Sequence, residues 1–495
     1  MKIQRLPLLA ALTLAATIAP AQSHTASTVP VIMLSDIHLD PFHDPAKVAQ
    51  LRSTPATGWA AILDAPPSPT QAADFAQLQT TCGAKGIDTP IALLNSSLAA
   101  ATREQPTPLF VTVSGDLMAH QFDCRFHTLA PTATAADYSA FAAKTVAFIA
   151  LQLHQTFPRS PIYFALGNND SGCKDYREDP NSAFLQADAL AFSDDALNPA
   201  NRAAFLREFP QYGDYNIALP APVTHTRLIV LQDIFQSARY TNCSGNTADP
   251  ATNSGQLQID WLRAQLTAAR AAHEHVWVMA HIPPGVDAYS TIKKSGASCG
   301  TAAPELFIPS GAFASTLAQF ADVIKLALFG HTHMDEMRAY PSAGSNTPAA
   351  IVPGKLVPSI TPVNGNNPAF TIAQIETAEP ATATLKDYTV YSASNQTGIS
   401  TEWSEEYNYA KTYGMPDFSG PSAAKLSSIF LADKSGSTDP SLAYQRFYFV
   451  GDPGVTANAK AAAMKLVWHA YACSITNTSD TDYHACVCPA TPAAQ

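Results

Sequence analysis

The stretch Leu109-Phe110-Val111-Thr112-Val113-Ser114-Gly115-Asp116 predicts a buried β-strand that ends at a carboxylate. Near-continuous runs of aliphatic and β-branched residues are typical of strands covered on both faces. Similar runs, each just before a polar residue, lie at 31–34, 162–166, 276–279 and 326–329. Because sites in layered α/β proteins lie beyond the carboxyl ends of such strands, we expect these polar residues to meet.

Helical patterns with apolar residues three and four apart lie between these strands. They comprise Tyr138, Phe141, Thr145, Ile149 and Leu153; Leu257, Trp261, Leu262 and Leu266; and Phe313, Leu317, Phe320 and Ile324. Helices that alternate with strands predict an α/β fold with sheets covered on their outer faces.

Other stretches are less regular. We expect 55–79 and 171–201 to form loops or small helical caps at the rim of the site. After Pro353, strand-like runs at 370–375 and 384–391 precede a tyrosine-rich stretch from Trp403 to Tyr471, which we expect to be helical.

The amino terminus is typical of a secretory signal. Lys2 and Arg5 precede an apolar run at 6–18 and the small residues Ala19-Pro20-Ala21, a pattern that predicts cleavage after Ala21. The run is shorter than the roughly 20 residues needed to span a bilayer. We therefore divide the chain into a signal peptide at 1–21, a catalytic domain at 29–353 and a C-terminal extension at 354–495, and expect a secreted or periplasmic protein.

The cysteine content agrees with export. Eight cysteines are an even number, which favours disulfides in an exported chain. Cys486 and Cys488 are too close in sequence for a redox motif, so we expect their sulfurs to bond elsewhere, one of them to Cys473. The other pairings stay open.

The charge balance disfavours polyanions as tightly held partners. The chain carries 29 basic and 40 acidic residues, a formal net charge of -11, and no cluster of Lys and Arg. Proteins that bind nucleic acid tightly usually have a row or patch of basic residues on one face. We expect a monomer whose partner is a small molecule or a lipid, and an anionic group on it could still be bound if a metal site supplied the positive charge.

Five motifs follow the predicted strands. They are Asp36-Ile37-His38, Gly115-Asp116, Gly167-Asn168-Asn169-Asp170, His281 and Gly330-His331-Thr332-His333. Carboxylate, amide and imidazole ligands suit divalent transition metals, most often Zn, with Mn or Fe as alternatives. Two such ions about 3.5 to 4 Å apart clamp the attacking and leaving oxygens of a displacement at phosphorus. The motifs therefore favour phosphoester hydrolysis.

In this order the motifs resemble those of the calcineurin-like metallophosphoesterase superfamily. Five further segments resemble those of its acid sphingomyelinase-like phosphodiesterase branch, which also includes endopolyphosphatases. The segments are Gly115 to His120, His281 to Gly285, Phe329 to Asp335, Pro358 to Pro362 and Asn367 to Phe370. The resemblance implies a four-layer α/β/β/α sandwich with a smaller C-terminal α+β extension.

The resemblance also implies a ligand set. Asp36, His38 and His333 would hold one metal, Asn168, His281 and His331 the other, and Asp116 would bridge them. A metal-bound hydroxide would then attack phosphorus, because coordination lowers the pKa of water towards about 7. Asp40 and Asp335 could orient a ligand imidazole.

The third motif departs from the family pattern, which usually has His where this chain has Asn169. An amide can steady a phosphoryl oxygen but cannot deliver a proton. His120 matches a second histidine that the branch places beside the leaving group, so we expect His120 to be the general acid.

Several substrates fit this reading: a small phosphodiester, a nucleotide or a phospholipid headgroup ester. No saposin-like segment precedes Val29, which favours the soluble substrates over a membrane lipid. The alternatives are a phosphomonoesterase or polyphosphatase of the same fold, and a non-catalytic protein that binds phosphorylated ligands, for which Asn169 is the best argument.

Overall fold

The computed structural model describes residues 28–196, 199–247, 253–295, 303–342, 351–377, 383–450 and 462–488. The strands of this part are β1 (Thr28–Leu34), β2 (Val111–Ser114), β3 (Ile162–Ala165), β4 (Tyr215–Ala218), β5 (Thr226–Val230), β6 (His275–Met279), β7 (Ile324–Phe329), β8 (Glu336–Pro341), β9 (Ile351–Leu356), β10 (Ala369–Glu376), β11 (Leu385–Ala393) and β12 (Trp403–Asn408). The five strands that the sequence predicts before the motifs are confirmed as β1, β2, β3, β6 and β7.

The helices of the described residues include one long helix, α6, and many shorter ones. They are α1 (Val48–Ser53), α2 (Trp59–Leu63), α3 (Gln71–Thr81), α4 (Ile91–Glu104), α5 (Phe122–Leu129), α6 (Ala135–Thr156), α7 (Ala183–Ala196), α8 (Pro199–Tyr212), α9 (Ser254–Ala271), α10 (Ala288–Ser295), α11 (Ala312–Gln319), α12 (Tyr409–Tyr413), α13 (Gly420–Ala432), α14 (Asp439–Phe447), α15 (Trp468–Thr476) and α16 (Asp480–Val487).

Two six-stranded sheets organise the described residues. The first has the order β12-β11-β10-β1-β2-β3 and the second β4-β5-β6-β7-β9-β8. In the first sheet β1, β2 and β3 are parallel, and in the second β5, β6 and β7 are parallel. Because their carboxyl ends point the same way, the loops that follow them lie on one edge of each sheet.

The sheets pack face to face around a shared apolar core. Phe110 lies just before β2 of the first sheet, and Trp277 lies in β6 of the second. The centroids of their rings are 5.9 Å apart. Tyr215 of β4 donates its hydroxyl hydrogen to the Phe164 carbonyl of β3 at 2.9 Å. Helices flank the sheets, so the predicted α/β sandwich of two central sheets is confirmed.

The helix α6 illustrates how the sequence specifies a flanking element. Thr134 and Asp137 form a reciprocal capping box at its start, which satisfies backbone N–H groups that a helix end leaves free. Phe141, Ile149 and Leu153, part of the predicted apolar face, are all buried. The predicted helix therefore packs as expected.

Strands beyond the predicted boundary at 353 complete the sheets. The boundary falls within β9, which pairs with β7 and β8. β10 pairs antiparallel with β1 from Thr28↔Glu376 to Met33↔Thr371. Backbone pairing thus joins the extension to the rest of the fold, and the division into domains stays a prediction.

Three predictions about local structure are wrong. Ile324 is not the last residue of a helix, because α11 ends at Gln319 and Ile324 begins β7, where pairing with β6 satisfies its backbone. The stretch 403–408 is strand β12 rather than helix, since it pairs with β11. Much of 171–201 lies in α7, whose buried Phe184 and Phe192 attach it to the core.

The disulfides of the described residues are Cys82–Cys124, Cys173–Cys243 and Cys473–Cys486. The predicted bond between Cys473 and one member of the Cys486/Cys488 pair is confirmed. Cys299 and the predicted signal peptide lie outside the described residues. Within the described ranges, no helix is both long enough and apolar enough to cross a bilayer.

Candidate metal centre

The predicted ligands lie on the loops that follow the parallel strands. Backbone hydrogen bonds tie these loops together: Asp36 donates its N–H to the Gly115 carbonyl at 3.0 Å, and His38 donates to the Asp116 carbonyl at 2.9 Å. Gly330 likewise donates to the His281 carbonyl at 2.9 Å. The loops of both sheets therefore meet at one place between them.

Two overlapping clusters of ligand atoms result. One contains Asp36, His38, Asp116 and His333, the other Asp116, His281 and His331, with the ligand atoms of each cluster within 4.8 Å of one another. Asp116 Oδ2 lies 3.4 Å from His38 Nε2 and 3.1 Å from His281 Nε2. Asp116 thus belongs to both clusters, as a bridging carboxylate must.

Asn168 lies at the edge of the second cluster. Its Oδ1 is 2.9 Å from His331 Nδ1, and its Nδ2 donates to Asp175 Oδ1 at 2.8 Å. The hydrogen bond to Asp175 fixes the orientation of the amide, so that its oxygen faces the histidine. Sequence reasoning missed Asp175, which belongs to no motif.

Backbone carbonyls orient two of the imidazoles. His38 Nδ1 lies 2.7 Å from the Met118 carbonyl, and His281 Nδ1 lies 2.8 Å from that of Ser114. Because a carbonyl can only accept, Nδ1 carries the hydrogen and Nε2 has a free lone pair in the neutral ring. Both Nε2 atoms are buried, and among the described residues neither has a hydrogen-bond partner. A metal ion would satisfy them.

The electrostatics of the centre favour bound cations. Burial lowers the pKa of His281 and His38, yet the surrounding carboxylates, Asp116 foremost and Asp36 after it, together outweigh burial and raise these pKa values to about 10 and about 9. Burial, together with the positive charge of His281, lowers the pKa of His331 to about 3. The pocket thus stabilises positive charge next to Asp116, and a bound metal ion would supply that charge in place of the protons on His38 and His281, because only the neutral imidazole binds a metal.

The backbone at the ligand positions is strained. Asp36, His38, Asp116, His331 and His333 have φ values of 47°, 44°, 54°, 72° and 66°. Non-glycine residues rarely adopt this left-handed region, and such outliers concentrate at functional sites. Five of them at one site indicate that the loops are shaped to aim these side chains.

Two of the motif glycines are required because neighbouring atoms leave no room for a Cβ. A Cβ on Gly167 would lie 2.2 Å from Asp116 Oδ1, and one on Gly330 would lie 2.1 Å from Ser35 Oγ and 2.6 Å from Asp36 Oδ2. Any side chain at these positions would displace the carboxylates. The glycines of the third and fifth motifs therefore make room for the candidate ligands.

His120 lies beside the first cluster and has a buried carboxylate partner. Its ring stacks on that of His38 with centroids 4.0 Å apart. Its Nδ1 is 2.8 Å from Asp88 Oδ1, and its backbone N–H donates to Asp88 Oδ2 at 2.9 Å. Burial would raise the pKa of Asp88, but the positive charges of His120 and Arg125 lower it to about 2. Asp88 was missed because it follows no recognisable motif.

Asn169 and Asp170 support the bridging carboxylate and its loop. The backbone N–H and the side-chain Nδ2 of Asn169 donate to the two oxygens of Asp116, each at 2.8 Å. Asp170 accepts backbone hydrogen bonds from Leu117, Met118 and Gly167. The third motif thus holds the second motif in place.

Asp40 and Asp335 do not orient the imidazoles, so this prediction is wrong. Asp40 accepts a 2.5 Å hydrogen bond from Arg125 Nη1. Asp335 accepts hydrogen bonds from Lys355 Nζ at 2.5 Å and the Tyr407 hydroxyl at 2.7 Å. Both carboxylates are buried and neutralise buried cations, a role that the sequence alone does not show.

A cavity of about 450 Å³ opens onto the clusters. Asp116, Asn168, Asn169, His331, His333 and His120 line its floor. Its wall carries Lys85, Lys174 and Arg239, whose guanidinium lies 3.9 Å from the centroid of the Tyr176 ring. Basic side chains on the wall suit an anionic substrate, and sequence reasoning missed all three.

The profile of the calcineurin-like phosphoesterase family matches residues 29–335. The chain belongs to this family. Its relatives include human acid sphingomyelinase-like phosphodiesterase 3b, 27% identical over 81% of this chain and 80% of that protein. Sphingomyelinase phosphodiesterase D of Dictyostelium discoideum is 26% identical over 70% of each chain. Bovine cyclic GMP-AMP phosphodiesterase SMPDL3A is 22% identical over 68% and 69%.

The predicted superfamily and the phosphoesterase class are thereby confirmed, and the chain is similar to acid sphingomyelinase-like phosphodiesterases. In this calcineurin-like phosphoesterase the donor set fits divalent metals: carboxylates lie between imidazoles, and two buried Nε2 atoms lack hydrogen-bond partners in the described chain. The assignment of each residue to one of two ions, and of catalytic roles to His120 and Asn169, stays a prediction.

Proposed function

We propose that this protein is an exported two-metal phosphodiesterase that hydrolyses a small phosphodiester, a nucleotide or a phospholipid headgroup ester. The observation that carries the proposal is the shared position of Asp116 in both ligand clusters, with His120 lining the pocket beside them. The names of the relatives, which are phosphodiesterases, support the choice of diesters.

In the proposal, Asp36, His38, Asp116 and His333 hold one ion, and Asp116, Asn168, His281 and His331 hold the other. Two divalent ions, most simply Zn, would lower the pKa of a bound water and neutralise phosphate charge. The protein's own part is to set the ligand geometry. The hydrogen bonds of Met118, Ser114 and Asp175 to ligand side chains do this.

His120 is proposed to protonate the departing alkoxide. Its Nδ1 is engaged by Asp88, which leaves Nε2 to carry the proton towards the pocket. The carboxylate of Asp88 fixes the orientation of the ring, and a general acid must lie within hydrogen-bond reach of the leaving oxygen. The proton moves from Nε2 to the leaving oxygen as the phosphorus–oxygen bond breaks.

Asn169 is proposed to steady the phosphoryl oxygens. An amide nitrogen carries two hydrogens, and only one is needed for the bond to Asp116 Oδ2. Asn169 lines the pocket, so the second hydrogen is available to a bound phosphoryl group. The same residue thereby connects substrate and bridging carboxylate.

Export is proposed from the amino-terminal pattern and from the disulfides. Disulfides form and persist in oxidising compartments. The described residues form the disulfides Cys82–Cys124, Cys173–Cys243 and Cys473–Cys486. Amino-terminal sequencing of the mature protein from the culture medium or periplasm tests both export and cleavage after Ala21.

The test of the function uses the full chain with bis-p-nitrophenyl phosphate. Activity should appear with Zn or Mn and disappear after chelation, and elemental analysis should find two metals per chain. A fully metallated protein that binds phosphate but hydrolyses neither diesters nor monoesters would instead support the non-catalytic alternative.

A phosphomonoesterase or polyphosphatase is the second candidate. Lys85 on the pocket wall favours it, because a monoester or anhydride carries more negative charge than a diester. Lys174 and Arg239 add less, since they pair with Asp123 and Asp175 at 3.5 and 3.3 Å. Comparison of kcat/KM for p-nitrophenyl phosphate, bis-p-nitrophenyl phosphate and tripolyphosphate separates the candidates. The proposal requires the diester to be preferred.

A further inference from the structure

A buried carboxylate that belongs to none of the five motifs lies next to the candidate ligand His281. Asp233 follows the strand β5, which is parallel to β6, and begins a short 3-10 helix at Asp233–Gln236. The Leu231 N–H donates to the Met279 carbonyl at 2.9 Å, so the chain after β5 stays paired with the end of β6. Asp233 is thereby placed beside the loop that follows β6 and carries His281.

Asp233 binds the backbone of His281 and of the next residue. Its Oδ1 accepts the His281 N–H at 3.4 Å and the Ile282 N–H at 3.1 Å, and its Oδ2 accepts the Ile282 N–H at 2.9 Å. The Gly330 N–H donates to the His281 carbonyl, and the Ser114 carbonyl faces its Nδ1. Of the groups that hold His281 in these ways, Asp233 is the one that acts through its side chain and can carry a charge.

Asp233 is buried without a basic partner. Its exposed fraction is 0%, and in the part of the chain that the structure describes it pairs with no lysine or arginine. Two other carboxylates near the centre do have such a partner: Asp175 pairs with Arg239 at 3.3 Å, and Asp40 pairs with Arg125 at 2.5 Å. Burial of a charge is costly unless it is compensated. A metal ion bound through the neighbouring histidine would supply the missing positive charge.

The two proposed ion sites differ in the charge of their ligands. The first would contain two carboxylates, Asp36 and Asp116. The second shares Asp116, and its remaining ligands are neutral: Asn168, His281 and His331. A divalent ion at the second site therefore receives less negative charge from its own ligands. A carboxylate behind His281 would compensate for this difference, since groups that contact a ligand also tune the metal.

We propose that Asp233 is a positioning residue for the second ion, because it fixes the backbone of His281 and supplies negative charge that the ligands of this site lack. The inference rests on the proposed function. Replacement of a residue that orients a metal ligand typically costs about 10- to 100-fold in metal affinity or activity. The first ion has no ligand on the loop after β6, so its affinity should depend little on Asp233.

The experiment measures zinc binding to the full chain after its metals have been removed. A chromophoric chelator competes for Zn, which gives a dissociation constant for each ion without any hydrolysis. The variant His281→Ala identifies the constant that belongs to the second site. Asp233→Asn keeps one acceptor oxygen and removes the charge. In this variant we expect the second-site constant to rise about 10- to 100-fold and the other constant to change less than about threefold.

The matched control is Asp188→Asn. Asp188 is also 0% exposed, and within the described ranges its carboxylate oxygens have no hydrogen-bond partner. This control should keep both wild-type constants. Asp233→Ser is a second variant in case Asp233→Asn does not fold, and it should weaken the second site in the same way.

Two further measurements separate positioning from structural damage. Excess Zn should restore the activity of Asp233→Asn, because mass action refills a weakened site but does not repair a misfolded one. In a His281→Ala background, Asp233→Asn should not change the remaining constant, since its effect passes through the side chain that is already missing.

Three outcomes would overturn the inference. An unchanged second-site constant in a folded Asp233 variant that binds two ions and hydrolyses diesters would leave the phosphodiesterase in place and remove the role of Asp233. Equal losses at both ions would indicate damage to the whole centre. Wild-type protein that binds fewer than two ions would remove the proposed function and the inference with it.

Discussion

Asp88 is expected to act on catalysis only through His120, and Asp88→Asn tests this. The substitution keeps the shape of a side chain that is fully buried and removes its charge. His120 Nδ1 then loses a charge-assisted hydrogen bond of 2.8 Å. Hydrogen bonds to charged groups contribute about 1.5–3 kcal/mol. At 1.36 kcal/mol per tenfold change in rate, the imidazolium should supply its proton about ten to a hundred times less effectively.

The size of the loss should depend on the leaving group. An alkoxide needs a proton as it departs, whereas p-nitrophenolate leaves without one. In Asp88→Asn, kcat/KM for hexyl phosphocholine should therefore fall about ten- to a hundredfold. For p-nitrophenyl phosphocholine, which presents the same headgroup, the fall should stay below about threefold.

Two controls separate positioning from structural damage. Asp88 also faces the buried Arg125, with 3.4 Å between Oδ2 and Nη2, so some stability will be lost. Asp40→Asn removes the stronger 2.5 Å partner of the same arginine without touching His120. It should lower the Tm but keep the wild-type ratio between the two substrates.

The reasoning would be refuted by equal losses on both phosphocholine esters. It would also fail if Asp88→Asn lowered activity further in a His120→Ala background, since residues that act as one unit are not additive.

Removal of metal should lower the Tm and added Zn should restore it, because an ion that binds only the folded chain stabilises that chain. In Asp116→Asn, elemental analysis should find less metal, and calorimetry should find a smaller rise of the Tm on addition of Zn. Gly330→Ala should lose metal and activity because its Cβ would lie 2.6 Å from Asp36 Oδ2, whereas Gly311→Ala, with no atom within 4 Å of the added Cβ, should lose neither. Burial raises the pKa of Glu178 to about 7 from 4.5. Stability from this group is therefore present below about pH 4.5 and lost as pH rises to about 7, a change of about 3 kcal/mol. Glu178→Gln should accordingly raise the Tm at pH 8 and hardly change it at pH 4.5; an equal effect at both values would contradict the assignment.

Sequence reasoning reached the strands and the motif residues because each apolar run and its terminal ligand are adjacent in the chain. The run at 109–113 and Asp116 illustrate this, since one short segment carries both signals. Helix boundaries were less secure. Phe313, Leu317, Phe320 and Ile324 keep helical spacing, yet pairing of Ile324 with the strand β6 outweighs that local pattern.

The helix α7 was missed for a related reason. Its apolar face rests on α6 and on β3, where the rings of Phe164 and Phe192 stack at 4.3 Å. This packing stabilises the helix, since most helical stability in proteins comes from tertiary contacts.

The amino-acid sequence by itself determined the order of the motifs, the glycines beside them and hence the family. Only the tertiary structure decided which other groups serve the site. Asp88 and Arg239 lie far from the motifs in the chain and come to His120 and to the pocket only in the folded structure. Asp175 follows the third motif by five residues, but its hydrogen bond to Asn168 is seen only in the structure. The physical reason is that each ligand is adjacent in the sequence to the strand that positions it. The residues that orient the ligands and set the charge of the site become their neighbours only when the chain folds.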